Sequence, residues 1–288
     1  MIKKRFNINR IYISNEFYEI LKLKVKNNIY IRYIRCIGYN LENILNKKLI
    51  YYNFSDKLRE KYFLKTSISM NDFEDDDWII IREVDSYQQK NIIVNQKKNI
   101  KNYKDNENVI ITKLLLNPDL MDGYKYHFRV FYLLRNTKEI YLYKYFRIFS
   151  SSQKFDLNNL NYDTVITARP FSKNKSLYFP NNLGKYTTND IEYITNQMCE
   201  IGKEVLQIIN NHNNNYYYDW FQILGADFMI NDKMEIKIAE INYKNPAFLI
   251  DENNKDENFY FNDFINNVKN VLTYDIPLNN NFIKIEWL

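Results

Sequence analysis

The chain has 288 residues, of which 45% are hydrophobic and 17% aromatic, and it carries a formal net charge of +5. This apolar content excludes a disordered chain, and the length suffices for one large domain or for two to three small subdomains with a buried core. Because the sequence contains no apolar run of about 18 residues and no signal-peptide core, we expect a cytoplasmic protein that does not cross a membrane.

The first part of the chain predicts a series of short elements. Helices are expected at 15–26, 40–48 and 54–62, and strands at 29–37, 76–82, 91–95 and 109–116. The polar segment 95–108 predicts a linker or a mobile loop before the last of these strands. Its lysines are expected to be solvated, and they are Lys97, Lys98, Lys101 and Lys104.

The second part predicts further strands and two longer helices. Strands are expected at 126–134, 139–149 and 164–168. An apolar stripe with spacings of three and four residues predicts a core-packed helix at 188–210, and Thr187 with Asp190 fits a capping box at its start. A last helix is expected near 260–273.

The segment 225–242, with the sequence GADFMINDKMEIKIAEIN, predicts a β-hairpin, because apolar residues alternate on both sides of a polar turn. A turn at its centre sets Asp227 opposite Glu240, and Glu240 shares a strand face with Asn242. Carboxylate and amide oxygens are ligands that Mg²⁺ accepts, with nucleotide phosphates completing its shell. The hairpin is therefore either a metal site or an amphipathic surface ribbon.

Two predicted strands carry basic residues that suit phosphate binding. Lys125 lies four residues before Arg129, so the two side chains share a face of one strand, and Arg147 lies on the following strand. Phosphoryl transfer depends on positioning and on neutralising charge, and a guanidinium presents a planar fork to phosphate oxygens. The alternative is that these residues are ordinary solvated cations.

Several short motifs follow one another in a defined order along the chain. They are Thr112-Lys113-Leu114, Asn117-Pro118-Asp119-Leu120, Gly123-Tyr124-Lys125-Tyr126-His127-Phe128-Arg129, Leu142-Tyr143-Lys144 with Arg147, Gly225-Ala226-Asp227-Phe228-Met229 and Ala239-Glu240-Ile241-Asn242. In this order they resemble the tubulin–tyrosine ligase-like family of ATP-grasp ligases, over about residues 49–272. Several motifs in the right order are more specific than any one of them.

The resemblance implies an α+β ATP-grasp fold, in which two α+β subdomains grip ATP beside a small N-terminal α/β subdomain. It places the N-terminal subdomain at 1–65 and the central ATP-grasp subdomain at 66–115. The C-terminal ATP-grasp subdomain, with the Mg-ATP site, is placed at 116–288.

The resemblance also implies roles for individual residues. Mg²⁺ would be bound by Asp227, Glu240 and Asn242. Phosphate or acyl phosphate would be contacted by Arg129, Arg147 and Lys125 as catalytic residues. Adenine would pair with the backbone of Lys113, Leu114 and Leu115, and the family's phosphate-binding lysine is replaced by Arg82. The implied enzyme is an ATP-dependent carboxylate–amine ligase that joins a free amino acid, through an acyl phosphate, to tubulin or another acidic protein tail.

The chain departs from the family pattern around the nucleotide. The segment 82–90 contains no glycine, and Glu83 and Asp85 within it would repel phosphate. His127 stands where the family has aspartate, and Ala168 stands where it has asparagine. Two alternatives therefore stay open, which are an inactive ATP-grasp protein that binds tubulin or another protein, and a ligase of the same fold with a different acceptor.

Composition separates the remaining function classes. Cys36 and Cys199 are isolated thiols, so neither a zinc site nor a disulfide framework is expected. The mild positive charge suits an acidic protein partner such as a tubulin tail. Nucleic-acid binding is not expected, because the sequence has no zinc finger, RRM signature or basic helix.

Overall fold

The computed structural model describes residues 11–12, 35–36, 41–84, 92–101, 103, 105–135, 139–167, 169–170, 178–179, 185–212, 220–243, 247–248, 255–273 and 281–285, and the structural statements below concern these residues. Their α-helices are α1 (Glu42–Leu45), α2 (Leu49–Asn53), α3 (Asp56–Tyr62), α4 (Tyr162–Val165), α5 (Thr188–His212) and α6 (Lys255–Thr273). Their strands are β1 (Ile11–Tyr12), β2 (Arg35–Cys36), β3 (Thr66–Ser67), β4 (Trp78–Glu83), β5 (Ile93–Gln96), β6 (Val109–Lys113), β7 (Leu120–Met121), β8 (Tyr124–Arg135), β9 (Glu139–Tyr143), β10 (Phe146–Ser150), β11 (Arg169–Pro170), β12 (Tyr178–Phe179), β13 (Trp220–Ile230), β14 (Ile236–Asn242), β15 (Ala247–Phe248) and β16 (Phe282–Lys284).

The larger sheet is built around β8, which is 12 residues long. β9 and β10 pair with successive parts of β8 on one side, β13 pairs with it on the other, and β14 pairs with β13. These pairs are all antiparallel. The shorter strands β2, β7, β11, β12 and β16 pair with this framework.

The smaller sheet has the strand order β3-β6-β4-β5 and is antiparallel. Side chains alternate along β4, because successive residues of a strand point to opposite faces. Ile79 and Ile81 are buried in a cluster with Phe73. Ile80 and Arg82, on the opposite face, line a cleft between this sheet and the larger one.

The two faces of β8 belong to two different layers of the molecule. Phe128 and Tyr132, at even positions, are buried in the main core that α5 covers. Phe131 and Leu133, at odd positions, are buried in a second cluster with residues of α6. The earlier odd positions of β8 lie outside this second cluster, so they remain for the functional site described below.

The helix predicted at 188–210 is confirmed as α5, and its apolar stripe packs on the core. Ile194, Met198 and Ile201 are all fully buried. The predicted capping box is also present. The Thr187 amide donates to Asp190 Oδ2 at 2.8 Å, and the Asp190 amide donates to Thr187 Oγ1 at 3.3 Å.

Two predicted strands differ from the structure, because one is divided into two strands and the other begins within a helix. The strand predicted at 139–149 is interrupted at Lys144 and Tyr145, because β9 and β10 pair with β8 in different registers. The strand predicted at 164–168 begins within the helix α4. Asn161 starts that helix by accepting hydrogen bonds from two backbone amides with its side chain, and this local capping outweighs the strand preference of the β-branched residues.

The segment 95–108 is not the free linker that its polarity predicts. It completes β5 and continues into a 3-10 helix at Lys97–Asn99. The Lys97 ammonium donates to a backbone carbonyl and is only partly exposed, so the prediction that it is solvated is wrong. Lys98 and Lys101 are exposed as predicted, whereas Lys104 lies outside the described residues.

The predicted α+β class is confirmed, since helices pack against largely antiparallel sheets. The division at residues 65 and 115 stays a prediction; β3 to β6 form the smaller sheet, while β2 pairs with β13 in the larger one. The helix predicted at 15–26 lies outside the described residues. Among the helices of the described ranges, none is long and apolar enough to cross a membrane.

Candidate functional site

A cleft of about 270 Å³ lies between the two sheets. One wall is the face of β4 that carries Ile80 and Arg82, and the facing wall comes from β8, β13 and β14. Lys47, in the turn between α1 and α2, and Thr167, after α4, also line it. The cleft therefore collects side chains from both sheets and from the helical part that precedes them.

A row of four charged residues crosses one face of the larger sheet, and two of them, Asp227 and Glu240, line the cleft. Arg147 of β10 pairs with Arg129 of β8, Arg129 pairs with Asp227 of β13, and Asp227 pairs with Glu240 of β14. Residues that are directly opposite on antiparallel strands share a face, with their Cβ atoms about 5 Å apart. The fold thus sets two guanidinium groups beside two carboxylates.

A β-bulge in β14 decides which of its residues face the cleft. Ile236 and Ile238 are buried in the main core, so regular alternation would also direct Glu240 into the core. The pairing with β13 shifts at Ala239, which is an extra residue in the ladder. After this shift, Glu240 and Asn242 line the cleft instead.

Arg82 holds the bulge from the opposite wall. Its Nη2 donates a hydrogen bond to the Ala239 carbonyl oxygen at 2.8 Å. Burial lowers the pKa of Arg82, while Glu240 and Asp227 act in the opposite direction. Arg82 therefore links β4 of the smaller sheet to β14 of the larger one and places a cation beside both carboxylates.

The two carboxylates of the row have different partners. Asp227 accepts two hydrogen bonds from Arg129, from Nε to Oδ1 at 2.5 Å and from Nη2 to Oδ2 at 2.6 Å. Glu240 accepts from Asn242 Nδ2 at 2.9 Å, and Lys47 Nζ lies 3.7 Å from its Oε2. Burial alone would raise the pKa of Glu240, but the surrounding cations, Lys47 first, lower it to about 2. Glu240 is therefore an anion at neutral pH.

Lys125 is a buried amine for which the described residues supply no acceptor. Its side chain is 1% exposed, and within the described part of the chain its Nζ has no hydrogen-bond partner. Burial lowers the pKa of Lys125 to about 7. A buried ammonium without an acceptor is costly, and an anionic ligand in the cleft would supply an acceptor.

Phe149 forms an aromatic surface under the basic residues. The His127 ring stacks on it, with ring centroids 5.1 Å apart and an interplanar angle of 8°. The Arg129 and Arg147 guanidinium carbons each lie 5.4 Å from its centroid. The His127 ring is also held by a contact of 2.6 Å between its Nδ1 and Thr167 Oγ1. Burial lowers the pKa of His127. The aromatic ring thus fixes the orientation of three nitrogen-bearing side chains.

The predicted adenine hinge lies on the wall of the cleft, and part of it is already hydrogen-bonded. The backbone amides of Lys113 and Leu114 donate to carbonyl oxygens of other segments at 2.8 Å and 2.7 Å. Lys113 Nζ also pairs with Asp77 at 2.5 Å. A nucleobase at this wall would therefore have to use backbone carbonyl groups or the Leu115 amide.

The cleft residues fit a nucleotide that carries phosphates and a divalent cation. Four positive side chains line the cleft beside the two carboxylates, and they are Lys47, Arg82, Lys113 and Lys125. Arg129 and Arg147 lie in the adjoining row. Across the ranges that the structure describes, no group of three or more His, Cys, Asp or Glu side chains could hold a metal ion. A cation here would therefore be held by Asp227, Glu240 and Asn242 only together with phosphate oxygens, as Mg²⁺ commonly is.

The three predicted metal ligands line one cleft, together with the predicted adenine hinge, Lys125 and Arg82. Arg129 and Arg147 lie in the adjoining row. Their chemical roles stay predictions.

Sequence reasoning missed Lys47 and Phe149. Phe149 could have been found, because it lies two residues after Arg147 on one strand face, whereas no sequence signal points to Lys47. Residues 85–91 and Ala168, which carry departures from the family pattern, lie outside the described residues.

Comparisons with known proteins agree with the motif order. A model of the tubulin-tyrosine ligase family matches residues 15–280. The chain is also similar to chemotaxis protein CheA of Borreliella burgdorferi, at 26% identity over 142 residues. That match covers 43% of this chain and 16% of the chemotaxis protein, and it carries no conclusion about function.

Proposed function

This chain belongs to the tubulin-tyrosine ligase family, whose members are generally ligases, and we propose that it is an ATP-dependent carboxylate–amine ligase. In the proposed reaction a protein carboxylate takes a phosphoryl group from ATP, with release of ADP. The amine of a free amino acid then attacks this acyl phosphate, forms an amide and releases phosphate. The proposed acceptor is tubulin or another acidic protein tail, and the proposed fold is the ATP-grasp fold.

The observation that carries the proposal is the row of Arg147, Arg129, Asp227 and Glu240 beside the buried Lys125. Phosphoryl transfer requires fixed cations where negative charge develops and carboxylates that hold a divalent ion. A module that binds an acidic tail on its surface requires neither a buried ammonium nor two opposed carboxylates. The cleft therefore favours phosphate chemistry.

In this proposal Asp227, Glu240 and Asn242 hold Mg²⁺, which neutralises and orients phosphate oxygens when it is bound. Arg82 supports these ligands by holding the Ala239 carbonyl, and with it the bulge that turns Glu240 into the cleft.

Arg129, Arg147 and Lys125 orient the group that is transferred. Arg129 and Arg147 are held at equal distances from Phe149, so their planar forks have little rotational freedom. Lys125 places an ammonium group beside them, without a competing anion from the described residues. With the two sheets closed over the reacting groups, the same residues exclude water from the acyl phosphate.

The test is transfer of a labelled amino acid. Purified protein, ATP and Mg²⁺ are incubated with tubulin and labelled tyrosine, glutamate or glycine, and parallel samples contain hydroxylamine to trap an acyl phosphate as a hydroxamate. We expect label in the protein acceptor, ADP release and trapping. Arg147→Met should lose roughly 100-fold in rate, because it removes a positioned cation, whereas exposed Lys144→Met should keep the rate.

A second candidate function is supported by the Arg129–Asp227 pair. Both oxygens of Asp227 accept from Arg129, so the guanidinium presents its fork to this carboxylate and not to phosphate. This arrangement suits an inactive ATP-grasp protein that binds tubulin or another protein. Nucleotide binding without ADP release, hydroxamate or labelled acceptor would select this second function and reject the ligase.

A further inference from the structure

His127 has one ring nitrogen that is held and one that points at a carboxylate. Its Nδ1 lies 2.6 Å from Thr167 Oγ1, and its ring stacks on Phe149, so the ring orientation is fixed. The side chain is 9% exposed, and within the described ranges Nε2 has no hydrogen-bond partner. This nitrogen lies 3.7 Å from Asp227 Oδ1, inside the functional cleft.

The spacing between Nε2 and Oδ1 suits an ion between them. A distance of 3.7 Å is too long for a hydrogen bond. Two ligand atoms that each lie about 2.1 Å from a shared metal ion are roughly 3 to 3.7 Å apart, depending on the ligand angle. Arg129 uses one lone pair on each oxygen of Asp227, and a carboxylate oxygen has a second one to offer.

The partner of Nδ1 has the arrangement found around metal-binding histidines. Such a histidine usually donates its other N–H to an oxygen, which fixes the tautomer and leaves a lone pair on the ligating nitrogen. Thr167 Oγ1 occupies the position of that oxygen. With the proton on Nδ1, Nε2 and Asp227 Oδ1 present two lone pairs to the same space.

The chemistry of an imidazole ligand selects the metal. Mg²⁺ takes oxygen ligands and dehydrates reluctantly, whereas imidazole nitrogen suits first-row transition ions, whose affinities rise from Mn²⁺ towards Cu²⁺. We propose that His127 and Asp227 form a nitrogen–oxygen site for a first-row transition ion, for which Mn²⁺ serves as the spectroscopic probe. The inference rests on the proposed function in one respect, because phosphate oxygens complete the shell of the ion.

The test detects nitrogen bound to the metal, without reference to activity. Mn²⁺ and inorganic triphosphate, which contains no nitrogen, are added to the protein, and electron spin echo envelope modulation is recorded. The chain has 2 histidines. We expect ¹⁴N modulation of the imidazole type, which changes to the ¹⁵N pattern when the protein carries ¹⁵N-histidine. His127→Gln should abolish it, and His212→Gln, at an exposed position, should keep it.

Competition with Mg²⁺ measures the metal preference. His127→Asp supplies a hard oxygen instead of nitrogen, so Mg²⁺ should displace Mn²⁺ from it at a concentration at least about tenfold lower than from the unaltered protein. Thr167→Val removes the oxygen beside Nδ1 and should weaken Mn²⁺ binding by about 10- to 100-fold.

Absence of bound Mn²⁺, or bound Mn²⁺ without histidine modulation in the unaltered protein, would overturn the inference. Calorimetry of ATP with Mg²⁺ on the same preparation separates this failure from failure of the proposed function. Mg-ATP binding without nitrogen modulation contradicts only the metal inference. Nitrogen modulation with no ATP binding contradicts only the ligase.

Discussion

Lys125 keeps its ammonium group in the floor of the cleft at the expense of folding stability. Burial lowers its pKa to about 7, whereas an exposed lysine has a pKa near 10.5. Between these values the unfolded chain binds a proton that the folded protein lacks, so this group makes stability rise with pH. Below pH 7 the group is protonated in both states, and the full penalty of a buried charge is present.

Lys125→Met should therefore be more stable than the unaltered protein at pH 6 to 7, with an advantage that shrinks as the pH rises towards 10. The difference should change by at most about 1.4 kcal/mol per pH unit, since one proton is involved. Urea unfolding of both proteins at several pH values measures it. Parallel stability curves would show that Lys125 is not a buried amine with a lowered pKa.

At the scale of residues, the sequence predicts contacts between residues that belong to the same strand or to the same hairpin. Strand alternation alone places Glu240 and Asn242 on one face, and a turn at the centre of the hairpin places Asp227 opposite Glu240. The pairing is found in the structure. Lys47 reaches Glu240 from a turn far away in sequence, and no local pattern encodes such a contact.

At the scale of elements, α5 lies so close to the larger sheet that one position accepts no side chain. A Cβ atom added to Gly202 would lie 2.9 Å from Tyr132 Cε1 and 3.0 Å from Ile285 Cδ1. Tyr132 cannot turn away freely, because its hydroxyl donates to the Met198 carbonyl at 2.7 Å. The glycine thus sets the distance between α5 and the strands that carry the cleft.

Gly202→Val should lower the free energy of unfolding by about 1 to 3 kcal/mol, because the added methyl groups overpack this contact. Asn196→Val, at an exposed position of the same helix, controls for the presence of a β-branched residue and should alter the free energy of unfolding by less than about 0.5 kcal/mol. Thermal and urea unfolding measure both. Equal stability of the two variants would contradict the close packing of α5.

Elements whose apolar pattern repeats over many residues are predicted well from the sequence. Breaks and bulges within strands are not. The period of α5 extends over many turns, so its position and core face follow from the sequence. The break at Lys144 and Tyr145 and the bulge at Ala239 each depend on registers between strands, which only the assembled sheet determines. The bulge matters most, because it decides that Glu240 lines the cleft.

At the scale of the whole molecule, side chains from distant parts of the chain meet at the cleft. Arg82 reaches across from the smaller sheet to Ala239, and Lys47 reaches from the helical part to Glu240. In the protein without ligands, the positive charges of Arg82 and Lys47 offset the negative charge of the carboxylates in the cleft. The family and the order of its motifs were predictable from the sequence, whereas this network of distant contacts required the fold.

In the proposed ligase the cleft binds ATP together with a divalent ion held by Glu240. We would titrate ATP calorimetrically with and without Mg²⁺ into the unaltered protein, into Glu240→Gln and into Glu192→Gln, whose position on α5 is exposed. We predict Mg²⁺-dependent binding that Glu192→Gln keeps and Glu240→Gln weakens at least about tenfold, which is 1.4 kcal/mol. ATP binding that is absent, independent of Mg²⁺, or unchanged in a folded Glu240→Gln protein would contradict the claim.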